Sequence, residues 1–93
     1  MRTYEAVCVF RPEEDEAKAG TETVRTELKN LGAEIQKEED MGLRTLAYPI
    51  QKNGQARYYL FVVNMDPDKA HQTEKQVQMR TDMLRFLMVR QDR

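Results

Sequence analysis

What most limits the fold of this chain is a spacing of apolar residues that switches between two and three-to-four along the sequence. From Arg57 to Met65 the period is two: Tyr59, Phe61, Val63 and Met65 alternate with Tyr58, Leu60, Val62 and Asn64, as a pleated strand requires. Thr3 to Phe10 alternates in the same way. Tyr4, Ala6, Cys8 and Phe10 fall on one side, which is assigned to the core, and Thr3, Glu5, Val7 and Val9 on the other. After Arg11-Pro12 the period lengthens. Ala17, Gly20 or Thr21, Val24, Leu28 and Leu31 recur at helical spacing, with acids at Glu13 to Glu16 where a helix N-terminus favours them, and Gly32 as a C-terminal cap. Gly20 in the interior costs about 1 kcal/mol relative to Ala and predicts a frayed first turn.

Ala33 to Ile50 returns to extended spacing. Ile35 faces inward, Gln36 to Asp40 is polar and exposed, Gly42 permits a bend or bulge, and Pro49 places the strand at a sheet edge. Lys52-Asn53-Gly54-Gln55 then predicts a hairpin turn on Asn53-Gly54, since both residue types accept positive φ. Asp66-Pro67-Asp68 opens a second helix that runs to about Arg80, with Ala70, Thr73, Val77 and Arg80 or Thr81 inward. Leu84 to Arg90 closes the chain as a strand, Phe86 and Met88 on one face and Leu87 and Val89 on the other.

The order strand, helix, strand, strand, helix, strand contains two β-α-β crossovers. Right-handed connections fold it into an α+β, ferredoxin-like βαββαβ sandwich: a four-stranded antiparallel sheet with both helices on one face. Residues 1–93 are expected to form one such domain, without repeat, linker or low-complexity segment.

Several classes are excluded by composition. One cysteine, Cys8, makes no internal disulfide, and with one histidine, His71, it cannot build a four-ligand zinc site. Met1 to Glu5 has neither the apolar run nor the cleavage site of a secretory signal, and no stretch approaches the roughly 20 apolar residues of a membrane span. The expected location is the cytoplasm. Formal charge is −1, which argues against nucleic-acid binding by bulk positive charge. The balance hides an asymmetry: residues 1–40 hold six basic and eleven acidic side chains, residues 41–93 nine and five.

Nothing in the sequence points to catalysis. Cys8 lies among valines on the core face, His71 lies among polar neighbours on a helix, and the acidic runs Glu13 to Glu16 and Glu38 to Asp40 lack the spaced oxygens of a calcium loop. A Gly-rich phosphate loop, a paired-cysteine motif and a Ser-His-Asp set are all missing, so neither enzyme activity, nor a cofactor, nor a small-molecule substrate is expected.

Binding is better supported. The sheet face away from the helices should carry Val7, Val9, Tyr58, Leu60, Val62, Leu87 and Val89, a contiguous apolar patch of the kind that marks a protein interface. An RNA-recognition motif shares the topology, but among the aromatics of the Arg57 to Val63 segment only Tyr58 faces outward, beside Val7 and Val9, so base stacking on the sheet is disfavoured. Basic residues gather toward the C-terminus, at Lys75, Arg80, Arg85, Arg90 and Arg93. Arg2 is brought near by pairing of the first and last strands, and the group suits a limited set of phosphate contacts.

Met1-Arg2-Thr3-Tyr4-Glu5, Leu31-Gly32-Ala33, Gly42-Leu43-Arg44-Thr45-Leu46-Ala47-Tyr48-Pro49-Ile50 and Arg85-Phe86-Leu87-Met88-Val89 together resemble the bacterial small-subunit ribosomal protein six family over the whole chain. Thr45 replaces a residue that is often arginine in the family, Gln51 one that is often lysine, and the chain stops at Asp92-Arg93 where many members continue. The resemblance implies a non-enzymatic structural protein of the small ribosomal subunit. It implies binding to the central domain of small-subunit ribosomal RNA, on the platform, cooperatively with small-subunit ribosomal protein eighteen. Carried over by position, Arg2, Arg44, Arg80, Arg85 and Arg90 are the expected RNA contacts. The residues alone also admit a free-standing ferredoxin-like dimerisation or small-ligand-sensing domain, and more distantly an acylphosphatase-like enzyme, although no anion-cradling loop follows the first strand.

Overall fold

A computed structural model describes residues 1–50, 52–80 and 83–91, without the side chain of Arg80. Gln51, Thr81, Asp92 and Arg93, invoked above for the hairpin, the second helix and the tail, lie outside the described residues. The elements are β1 (Arg2–Phe10), α1 (Glu14–Asn30), β2 (Glu34–Ile50), β3 (Asn53–Met65), α2 (Pro67–Arg80) and β4 (Arg85–Arg90). They build one antiparallel sheet of order β2-β3-β1-β4, so the expected βαββαβ arrangement forms.

One face of the sheet supplies Tyr4, Ala6, Cys8, Phe10, Phe61, Val63, Met65 and Phe86, and both helices close over it. From α1 come Ala17, Val24 and Leu28, and from α2 Ala70 and Val77. Thr73 is fully buried on the same thin stripe, its hydroxyl donating to the Lys69 carbonyl 2.9 Å away. That local bond lets a polar residue occupy an apolar position at little cost. Burying each of the large side chains contributes about 1.5–3 kcal/mol, so Phe61, Leu28 and Met65, all at 0% exposure, anchor the fold.

Local signals in the sequence act where expected at most helix ends. Gly32 has φ +80°, Ala33 N–H donates to the Leu28 carbonyl and Gly32 N–H to that of Lys29, and the pattern is a Schellman cap with Ala33 packed on the core. At the head of α2 the Asp66 carbonyl accepts from Ala70 N–H at 2.9 Å, with Pro67 as the first helical residue. Gly42 has φ +82° at a register shift between Asp40 and Gly42, the expected bulge, and β2 is an edge strand, as Pro49 indicated.

Two local expectations are corrected. The hairpin does not turn on Asn53-Gly54. Ile50 pairs with Asn53, and it is Lys52 that takes positive φ (68°) while Asn53 and Gly54 already belong to β3. The apolar contacts of Leu46 and Ile50 with Val9, Ala56 and Leu84 hold this register against the turn preference of Asn-Gly. Gly20, in turn, is not a weak point. It lies inside a continuous α1, and the Phe10 ring occupies the space where a side chain would stand, with Cε1 2.4 Å from the position of a Cβ.

Candidate functional site

The sheet face away from the helices carries rows of side chains fixed by the strand register. Lys37, Val62, Glu5 and Val89 form one row across β2, β3, β1 and β4, and Glu39, Leu60, Val7 and Leu87 form the next. Gly42, Tyr58, Val9 and Arg85 form a third. Among the described residues no helix covers this surface. Leu87 is 50% exposed and Val89 45%, while Val7, Tyr58, Leu60 and Val62 are partly exposed. Six of the seven residues expected on this face therefore reach solvent together. Val9 belongs to the same face but is only 5% exposed, because Leu84 and Ala56 close over it and Leu84 N–H donates to its carbonyl at 2.8 Å.

The rim is polar. Lys37 and Glu39 pair at 3.2 Å on β2, and Thr3 donates to the Asn64 side-chain oxygen at 2.7 Å at one end. An apolar centre within a polar border is the anatomy of a protein-binding surface.

The arginines are dispersed around this sheet. Arg2 and Arg90 lie at one end of the β1–β4 pair on the helix side: Tyr4 is in register with Arg90, so the two arginines are diagonal neighbours roughly 7–8 Å apart. Arg85 sits at the other end of β4, about 17 Å along the strand, and on the open face opposite Val9. Arg44 is on β2, three strand spacings or about 14 Å across the sheet, with its Nε donating to the Met41 carbonyl at 3.1 Å. Arg80 ends α2. The structure brings Arg2 and Arg90 together and leaves Arg44 and Arg85 on separate edges.

On the helix side, a groove of about 520 Å³ runs between α1 and β3, lined by Phe10, Lys18, Arg25, Arg57, Tyr58 and Tyr59 among others. Its charges are engaged internally. Arg25 pairs with Glu22 and, through Nη2 at 2.6 Å and Nε at 3.0 Å, with Glu38; its guanidinium also lies 6.0 Å from the centre of the Phe61 ring. Tyr59 Oη donates to Glu38 at 2.8 Å, and Arg57 Nε donates to the Pro12 carbonyl at 2.7 Å. The hydrogen bonds from Arg25 hold the Glu38 carboxyl below its usual range against the opposing effect of burial, and the same bonds raise the Arg25 pKa. Partial burial, reinforced by the bond to Glu38, raises the Tyr59 phenol. The cluster ties α1 to the exposed stretch of β2. It is a structural clasp, with no activated nucleophile or base.

Cys8 is fully buried, and burial pushes its thiol far above the ordinary range, the opposite of what a reactive cysteine needs. His71 is exposed on α2. Among the described residues no group of His, Cys, Asp and Glu is arranged to hold a metal ion, and no helix is long and apolar enough to cross a membrane.

Two surface features were given no functional weight from the sequence. Leu43 and Tyr48 stand out on β2 beside Arg44, Tyr48 at 84% exposure. Glu5 sits within the apolar face. Its place was legible from the alternation with Val7 and Val9, although polar side chains on an otherwise apolar strand face draw no attention without the neighbouring strands.

Comparison with known proteins decides the family. The family model described as ribosomal protein S6 matches residues 3–90. The chain belongs to the ribosomal protein S6 family. It is 40% identical over 92 residues to small ribosomal subunit protein bS6 of Treponema pallidum, covering 99% of both chains, and 41% identical over 90 residues to that of Treponema denticola, covering 97% of both. The bS6 protein of Thermus thermophilus is 33% identical over 92 residues, 97% of this chain and 91% of that one. The crystal structure of 30S ribosomal protein S6 from Thermotoga maritima superposes with a TM-score of 0.88 at 25% identity, over 97% of this chain and 87% of the other. S6 proteins are structural, non-enzymatic components of the small subunit of the cytoplasmic ribosome, and this chain is one of that kind.

Proposed function

We propose that the chain, as one domain over residues 1–93, binds the central domain of small-subunit ribosomal RNA on the platform, cooperatively with small-subunit ribosomal protein eighteen. The observation that carries this reading is the uncovered face of Val7, Tyr58, Leu60, Val62, Leu87 and Val89. A surface of that apolar character on a protein of net charge −1 suits a basic protein partner better than a nucleic acid. The dispersed arginines Arg2, Arg44, Arg80, Arg85 and Arg90 then serve as phosphate contacts around the rim. Few such contacts give weak RNA affinity and a shallow salt dependence for the isolated chain, because each neutralised phosphate adds less than one unit to the slope.

Filter binding of a central-domain RNA fragment tests the proposal, with this chain alone, with protein eighteen alone, and with both. The expected result is tight binding only by the pair. Tight binding by this chain alone, or a self-associated chain indifferent to protein eighteen, contradicts it.

A further inference from the structure

Charged residues on the open face lie on its edges, with one exception. Lys37, Glu39 and Arg44 belong to β2 and Arg85 to β4, whereas Glu5 belongs to β1, an inner strand. Among the described residues it is the charged side chain that the inner strands place on this face. It is partly buried, directly between Val62 and Val89 in register and two residues from Val7. It makes no hydrogen bond or ion pair among the described residues. Lys37 shares its row but is two strands away, roughly 10 Å, and is held by Glu39 at 3.2 Å.

In the free chain, water solvates this carboxylate. Once a partner covers Val62, Val89 and Leu87, that water is lost, and a buried carboxylate without a counter-charge opposes association. The same apolar neighbours that exclude water strengthen any ion pair formed there. We infer that the protein seated on this face presents an arginine or lysine to Glu5, and that Glu5 is the residue that selects the partner. An arginine fits better, since its planar fork engages both carboxylate oxygens. Partners offering a neutral or acidic surface at that point are rejected even when their shape fits. This inference rests on the reading of the open face as a protein-docking surface.

The test is calorimetric titration of protein eighteen from the same organism into the full chain and its variants. Glu5→Gln keeps the shape and the pairing of β1 on both sides, so its thermal unfolding is expected to match that of the parent. Its affinity should fall at least about 30-fold. Glu5→Lys should fall further, and a single Arg→Glu or Lys→Glu change on protein eighteen should recover binding to it. Leu87→Asp, at an exposed position, should abolish binding regardless of Glu5. Loss with Leu87→Asp but an affinity within about threefold for Glu5→Gln overturns the role of Glu5 alone, as does a Glu5→Lys defect that no charge swap recovers. Undiminished binding by Leu87→Asp overturns the docking surface itself.

Discussion

The ring of Phe10 fills the space next to the Gly20 Cα, so that a Cβ built at Gly20 would stand 2.4 Å from Cε1 of the ring. Phe10 is only 3% exposed and is part of the core, so the ring has little room to retreat. Glycine is here a packing requirement between α1 and β1.

Gly20→Ala should therefore destabilise the protein by about 1–3 kcal/mol, although helix propensity alone predicts a gain of about 1 kcal/mol. Urea unfolding measures it. Combined with Phe10→Leu, the penalty of Gly20→Ala should largely vanish, which isolates the contact as the cause.

Glu38, bonded to Arg25 and Tyr59, has a depressed carboxyl pKa. Its contribution is thus present above the unfolded-state value near ~4.3 and disappears as pH falls through the lower folded value. Glu38→Gln should cost about 0.5–1 kcal/mol at pH 7, the modest figure expected of a solvent-accessible cluster. The stability difference between the two proteins should close on acidification below pH ~4, as chemical unfolding across pH 3–7 would reveal.

Cys8 carries the opposite sign. Its thiol is raised in the folded chain, so the unfolded state ionises first and stability is lost as pH rises above the unfolded value near ~8.5. Between pH ~8.5 and ~10 the native state should weaken by up to about 1.4 kcal/mol per unit relative to a Cys8→Ala variant. Reaction with a thiol reagent at pH ~8.5 should proceed only at the rate of unfolding.

Leu28 and Leu87 should separate stability from assembly. Leu28 is fully buried, and Leu28→Ala should cost about 2–5 kcal/mol. Leu87 is 50% exposed on the open face, and Leu87→Ala should change stability by no more than about 0.5 kcal/mol while weakening association with protein eighteen. Thermal unfolding beside a binding titration distinguishes the two.

Lys52 adopts φ 68°, in the left-handed region where a side chain is strained. Lys52→Gly should stabilise the hairpin by about 1 kcal/mol, read from the shift of the urea midpoint.

The alternation of Tyr4, Ala6, Cys8 and Phe10 and of Tyr59, Phe61, Val63 and Met65, with the helical recurrence of Ala17, Val24 and Leu28, was enough to define the elements and the buried side of each. Those patterns are local. Burial on one face imposes its period wherever a strand or helix lies against a core, so the sequence by itself determined the βαββαβ order, the caps at Gly32 and Pro67, and the two sides of the sheet. Tertiary structure alone decided what depended on distant segments meeting. The turn settled at Lys52 because Leu46 and Ile50 had a cluster around Val9 and Leu84 to join, which outweighed the local preference of Asn53-Gly54. Gly20 acquired its purpose only when Phe10 docked on it. Strand order placed Arg44 and Arg85 on opposite edges of the sheet, and among the described residues Glu5 became the charge of the inner strands on the open face only when β3 and β4 set Val62 and Val89 on either side of it. A period reads the face a residue occupies; its neighbours there come from strand order and register, which no single segment encodes.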